Sequence, residues 1–242
     1  MQKKVKYTEM FPSEFEEAIN KTPIAYLPLG TLEWHGEHLP LGTDLIESEA
    51  LMIEIAKKCG GIVLPPLFLG PDRYKLHENK DLIGMDYAKS TSPQKQLIGS
   101  SYWVSNGIFM VLIDAILAQL KRAGFRAVFA DGHGPSRRSW VENIEERENR
   151  FGLKLFGVTS DIKEHWSYQI DHAAKNETSI MLHLNEVFVK TDLLNQPSVG
   201  VNGEPLNLSN KKYGENCLKN SIRLIENKIN EYKHSLPPTQ TT

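Results

Sequence analysis

Short, unbroken apolar runs alternate along this chain with segments whose apolar positions recur every three or four residues. The run PIAYLPL (23–29), stopped by Gly30, predicts a buried strand, and LIESEALMIEIAKKCGG (45–61) carries a helical repeat ending in glycine. GIVLPPLFLG (61–70) predicts a strand running into a proline-rich exit. NGIFMVLIDAILAQLKRAGF (106–125) is the most apolar helical stretch, fitting either a core helix or an interface helix. RAVFADGHG (126–134) predicts a strand followed at once by a turn, SRRSWVENIEERENRFG (136–152) a charged amphipathic helix, and KLFGVTS (154–160) another strand. ETSIMLHLNEVF (177–188) reads as a helix or buried segment, and NCLKNSIRLIENKINEYKHSL (216–236) as a long amphipathic helix before a loose tail, 236–242. Strands alternating with helices predict an α/β fold, a mostly parallel sheet covered by helices on both faces. No repeat or linker divides the sequence, so a single domain over 1–242 is expected. The polar stretch 70–105 is the one long loop, of the kind that serves as a lid or assembly segment.

Composition narrows the classes. With 242 residues, 40% of them hydrophobic and 24% charged, the chain has enough apolar material for a substantial core. A net charge of −2 offers no basic field for nucleic acid or anionic membranes. No run reaches the roughly 18–20 apolar residues of a membrane helix, and the N-terminal stretch lacks the apolar core of a signal peptide. Cys59 and Cys217 stand far apart without CxxC spacing, as free thiols in a reducing compartment would. A cytoplasmic enzyme is the expectation.

Candidate chemistry collects where open α/β sheets bind ligands, beyond the C-terminal ends of strands. TLEWHGEHLPLGTD (31–44) follows the first strand and holds Glu33, His35, His38 and Asp44. Residues two apart in extended chain point the same way, so Glu33 and His35 can face one point with Trp34 turned away. Asp44 sits at the next helix entry, where its two oxygens could bridge two ions. DGHG (131–134) follows the later strand and supplies Asp131 and His133; it lacks the third glycine and the lysine of nucleotide-binding loops. DHAAKNETS (171–179) adds His172 and Glu177, the latter also an ordinary acid for a helix start. The mixed carboxylate and imidazole set Glu33, His35, Asp44, His133 and Glu177 suits Zn²⁺ or Mn²⁺ rather than a thiolate structural site. His38 fits a hydrogen bond within its loop or a supporting place behind the ligands. His165, His183 and His234 read as ordinary histidines.

These stretches resemble a known family. LPLGTLEWHGEHLPLGTD is similar to the signature of the creatininase (creatinine amidohydrolase) family, DGHG resembles its N-G-H-G, and DHAAKNETS resembles its H-A-G-x-x-E-T-S. The three occur in family order across about residues 20–190. The resemblance implies a three-layer α/β/α sandwich, homo-oligomers that are frequently hexamers, and hydrolysis of small amides, often cyclic or formyl, by a hydroxide held at a binuclear metal centre. It implies two divalent ions, Zn²⁺ foremost with Mn²⁺ or Fe²⁺ as alternatives. Carried over by motif, Glu33 and His133 hold one ion, His35 and Glu177 the other, and Asp44 bridges, with His172 as the acid/base. In creatininase itself a glutamate follows the Gly-His of the second motif by two residues. Pro135 stands there in this sequence, which leaves that place to Glu177. His77 matches a histidine of the family's substrate-side loop, and Asp131 stands where the family has asparagine.

Trp34, Asp131, Pro135, Ser136, Ala174 and the rewritten 70–105 stretch depart from the pattern around the substrate rather than at the ligands, so a substrate other than creatinine is expected. Two other readings compete: a non-catalytic member whose 70–105 loop serves binding or assembly, and a phosphate- or sugar-ester hydrolase. The second calls for a basic pocket, for which Arg73, Arg137 and Arg138 are the candidates near the motifs; Arg137 and Arg138 read as a solvated helix face.

Overall fold

The computed structural model describes residues 4–142, 144–158, 162 and 165–235. At its centre lies a four-stranded sheet of β1 (Ile24–Leu29), β2 (Ile62–Val63), β5 (Ala127–Gly132) and β6 (Lys154–Gly157), ordered β2-β1-β5-β6. Every pairing in it is parallel. Side chains alternate across β1, and both faces are buried. Ile24 and Tyr26 join one core with Phe129 and Phe156, while Ala25, Leu27 and Leu29 join the other with Val128 and Leu155. Two covered faces explain why these strands are continuous apolar runs rather than alternating ones.

Helices α2 (Thr43–Cys59), α6 (Lys175–Asn185) and α7 (Lys211–Ser235) supply the first core, through residues such as Leu51, Ile55, Ile180 and Ile225. Helix α3 (Asn106–Arg122) supplies the second through Phe109, Ile113, Leu117 and Leu120, joined by the partly buried Phe15 and Ile19 of α1 (Pro12–Lys21). The architecture is therefore the three-layer α/β/α sandwich. Helix α3 buries one stripe only; Ile108 and Val111 on its other side are 55% and 69% exposed. Among the described residues no helix is long and apolar enough to cross a membrane.

Several elements differ from expectation. The helix expected over 136–152 is two, α4 (Gly134–Val141) and α5 (Ile144–Phe151). Trp140 is fully buried and donates Nε1–H to the Phe156 carbonyl at 2.9 Å, and Glu142 leaves the helix in extended conformation, so packing of the indole overrides the helical repeat. The strand expected over 61–70 narrows to Ile62–Val63, because Pro65 and Pro66 remove backbone donors; pairing with β1 resumes as a bridge between Leu29 and Leu67. The 70–105 stretch is not simply loop. It contains an antiparallel hairpin, β3 (Tyr74–His77) and β4 (Lys80–Ile83), turned by Glu78 and Asn79 at φ 48° and 61°. Helix α1 was not foreseen, and α7 begins at Lys211 rather than 216.

The register of β1 on β5 places Leu29 against Gly132, so both strands end level with each other. Gly132 has φ +144°, and a Cβ there would lie 1.8 Å from the Leu29 carbonyl oxygen. Gly134, on the other side of His133, has nothing within 4 Å of such a Cβ. Of the two glycines in the Gly-His-Gly turn, only the first lets the chains approach. Gly132→Ala is expected to cost at least about 1–3 kcal/mol from backbone strain, and Gly134→Ala to stay within about 0.5 kcal/mol of the parent. Urea unfolding of both variants checks the contrast.

Candidate metal centre

The level ends of β1 and β5 bring the three motifs together. Glu33 and His35 follow β1, His133 follows β5 as the residue preceding α4, Asp44 lies in the first turn of α2, and Glu177 in the first turn of α6. All five are buried, with His35 at 0% exposure. His133 Nδ1 lies 3.0 Å from Glu33 Oε1 and 3.2 Å from Asp44 Oδ2. His35 Nε2 lies 3.7 Å from the same Asp44 Oδ2 and 3.7 Å from Glu177 Oε2. One oxygen of Asp44 thus stands between two imidazoles, each with a second carboxylate of its own.

Backbone carbonyls fix how these rings present themselves. His35 Nδ1 faces the Glu33 carbonyl at 3.1 Å, His133 Nε2 the Pro71 carbonyl at 3.2 Å, and His172 Nε2 the Trp34 carbonyl at 2.8 Å. A carbonyl only accepts, so each of those nitrogens carries the hydrogen. In the neutral ring the other nitrogen then offers a lone pair, and in His35 and His133 that lone pair points at carboxylates. Such an arrangement needs a cation between the groups, either a proton or a metal ion. His35 Nε2 is buried and has no hydrogen-bond partner among the described residues. The donor set fits divalent ions: His35, Asp44 and Glu177 offer one atom each within 4.8 Å of one another, and so do Glu33, Asp72 and His133.

The electrostatics carry the same mark. Burial disfavours the imidazolium of His35, but Asp44, Glu177 and Glu33 outweigh it and raise its pKa to about 10. His133 is likewise raised well above the ordinary range, with Glu33 and Asp44 overcoming burial. Burial lifts Glu177 to about 8 despite His35. Burial and the charge of Glu33 lift Asp72 to about 6. His172 goes the other way: burial lowers it, with Glu33 opposing. Its ring packs on that of His35, centroids 4.4 Å apart, and its Nδ1 lies 3.7 Å from Glu33 Oε1.

Other sequence candidates lie outside this cluster. His38 is buried behind it, Nε2 3.0 Å from Thr178 Oγ1, with burial holding its pKa down at about 4. Asp131 is fully buried and ion-paired with Arg137 Nε, and Arg137 Nη1 donates to the Gln169 carbonyl at 3.3 Å. The expectation of a solvated face is therefore wrong for Arg137, which turns inward because Asp131 lies across from it; Arg138 is exposed. His77 is not brought to the site. It sits on the exposed hairpin, its side chain 45% accessible and 4.0 Å from Glu78. Trp34 does turn away: its indole donates to the Val199 carbonyl at 2.8 Å and its amide to Ser100 Oγ at 3.0 Å.

The sequence reading missed Asp72 and Glu47. The signal for Asp72 was available, since the chain from Leu67 leaves the sheet beside the end of β1, where ligand-bearing side chains gather. The cluster opens into a cavity of about 630 Å³ lined by Glu33, Asp44, Asp72, His133, His172 and Glu177, with Arg73, Arg137 and Arg138 also on its wall. That volume suits a small molecule.

The family model for creatininase, creatinine amidohydrolase, matches residues 8–216, and the chain belongs to this family of hydrolases. A creatinine amidohydrolase of Pseudomonas putida is 26% identical over 215 residues, covering 79% of this chain and 76% of that protein. The crystal structure of a creatinine amidohydrolase superposes with a TM-score of 0.75 at 19% identity, over 98% of this chain and 100% of the other. A manganese creatininase (TM-score 0.74, 20% identity, 95% and 99% covered) and a Zn–Zn creatininase variant (0.74, 19%, 95% and 98%) share the fold.

Glu47 lies one helical turn beyond Asp44. It is 0% exposed, and neither carboxyl oxygen has a partner among the described residues. Burial, reinforced by the negative charge of Glu177, Asp44 and Asp171, raises its pKa well above 4.5. A carboxyl raised in the folded state contributes stability that is full below its unfolded pKa and is lost as pH rises through the folded one. Glu47→Gln keeps the shape and removes the titration. At equal metal content, its unfolding midpoint is expected to gain on the parent between pH 5 and pH 8. A difference that does not change with pH would mean that Glu47 is ionised throughout.

Proposed function

We propose that this chain is a metal-dependent amidohydrolase that cleaves a C–N bond of a small cyclic or formyl amide other than creatinine. The observation that carries the reading is His35 Nε2: a buried lone pair, unpartnered among the described residues, aimed between the carboxylates of Asp44 and Glu177. In this reading Glu33 and His133 hold one divalent ion, His35 and Glu177 a second, and Asp44 is shared. Zn²⁺ leads the candidates, with Mn²⁺ or Fe²⁺ served by the same donors. Ions bound there supply Lewis acidity and make water acidic near neutral pH.

The chain's own residues then account for binding and proton transfer. The cavity wall holds a small amide with its carbonyl toward the carboxylate cluster. His172 has its Nε2–H tied to Trp34, and its lowered pKa leaves Nδ1 unprotonated at neutral pH. Nδ1 takes the proton of the attacking water and returns it to the departing nitrogen, so one atom serves both halves of the reaction. His38 and Asp131 support the cluster from behind, the first through Thr178 and the second by fixing Arg137. Of the three candidate phosphate-binding groups of the ester-hydrolase reading, Arg137 is already paired with Asp131, while Arg73 and Arg138 line the cavity.

Asp44→Asn is expected to lose both ions and all activity together, as elemental analysis of protein prepared without chelator would read. His172→Ala is expected to keep both ions and lose roughly 10²–10⁴ in kcat on whichever amide a screen of formamides and cyclic amides identifies. Full metal content in Asp44→Asn would remove Asp44 from the shared position. Unchanged turnover in His172→Ala would remove the proton-transfer role.

A further inference from the structure

Asp72 belongs to none of the three motifs, yet it faces the same centre. The segment that carries it leaves the sheet beside β1, and its neighbour Pro71 supplies the carbonyl that orients His133. The Asp72 side chain is only 8% exposed, and Oδ2 lies 4.0 Å from His133 Nε2. Oδ1 accepts the Arg73 amide at 2.6 Å, and the Asp72 carbonyl accepts Trp103 Nε1–H at 3.3 Å, which leaves Oδ2 without a hydrogen bond among the described residues. Room for it is made by Gly84, at φ +55°, where a Cβ would lie 2.1 Å from Oδ2. Donor atoms of Glu33, Asp72 and His133 fall within 4.8 Å of one another. Pro71 occupies Nε2 of His133, so the nitrogen left to ligate is Nδ1. Ligands of a tetrahedral ion at bond lengths of about 2.0–2.1 Å lie roughly 3.4 Å apart, a spacing reached by up to about 1.4 Å of side-chain movement.

We propose that Asp72 is a further protein ligand to the ion held by Glu33 and His133, resting on the metal-centre reading above. That ion would then have Glu33, His133, Asp72 and a share of Asp44, whereas the other keeps His35, Glu177 and its share of Asp44. The hairpin segment becomes part of the metal site, and the ion on its side has one fewer position open to water or substrate.

The test counts and weighs ions rather than turnover. The parent protein and Asp72→Asn, which preserves shape and removes the charge, are loaded with Zn²⁺. They are then titrated with a chromophoric chelator, with ions per chain read by native mass spectrometry. Two ions in the parent are expected, one of them held at least tenfold more weakly in Asp72→Asn and the other unchanged. Asp72→Cys loaded with Co²⁺ provides a direct sign of ligation: a thiolate-to-cobalt charge-transfer band that the parent, whose two cysteines are buried and join none of the candidate ligand groups, does not show. Two ions of parental affinity in Asp72→Asn, with no band in Asp72→Cys, would overturn the ligand role and leave the metal centre standing. A parent that takes up no ion would overturn the metal centre itself and Asp72 with it.

Discussion

Three imidazoles, those of His35 and His133 buried and that of His172 partly so, are each tied by one nitrogen to a backbone carbonyl and set the terms for everything around them. The carbonyls of Glu33 and Trp34 come from one stretch of chain and that of Pro71 from another, and each turns a ring so that its other nitrogen faces inward. Around the rings stand Glu33, Asp44 and Glu177, with oxygens 3.0 to 3.7 Å from those nitrogens, and Asp72, whose Oδ2 lies 4.0 Å from His133 Nε2. Buried carboxylates and lone pairs directed at one another are costly unless a cation lies between them. The fold holds the groups there regardless, because their positions are dictated by strand ends and helix starts that two apolar cores stabilise independently of the site.

That division of labour explains the placement of the motifs. β1 and β5 are adjacent and end level, so the residue after each strand meets the other across one strand spacing. Helices α2 and α6 both belong to the layer on one face, and each brings its first turn over the strand ends, so Asp44 and Glu177 arrive from one side. The opposite layer, with α3 and α1, contributes packing but no ligand. The 70–83 segment approaches beside β1 and brings Pro71 and Asp72.

Much of this was legible in the sequence, for identifiable reasons. β1, β5 and α2 announce themselves because fully buried strands and a regular helix leave unambiguous periodicities. Glu33, His35, Asp44 and His133 lie next to those elements, so local spacing was enough to nominate them; Glu177, an ordinary acid at a helix start, leaned on the family resemblance. What stayed hidden depends on contacts across the chain. The break after Trp140 follows from where its indole docks, against β6. Arg137 turns inward only because Asp131 lies across from it, which a helical wheel cannot show. His77 was nominated as the match to a histidine of the family's substrate-side loop, but the hairpin turns it out to solvent while Asp72 stays behind at the sheet edge. Glu47 carries no signal at all, since an acid one turn into a helix is ordinary until its burial is known.

Trp34 gives the site a mechanical character. Its amide is held by Ser100, its indole by the carbonyl of Val199, and its own carbonyl holds His172, whose backbone in turn pairs with Asn202 in both directions. A residue anchored at three points, with the histidine hung from it by ring and main chain alike, behaves as a truss and not as a hinge. The His172 ring is thus registered against the cluster by the chain itself. Selectivity must then come from the shape of the opening, since little at this end of the cavity is free to swing shut.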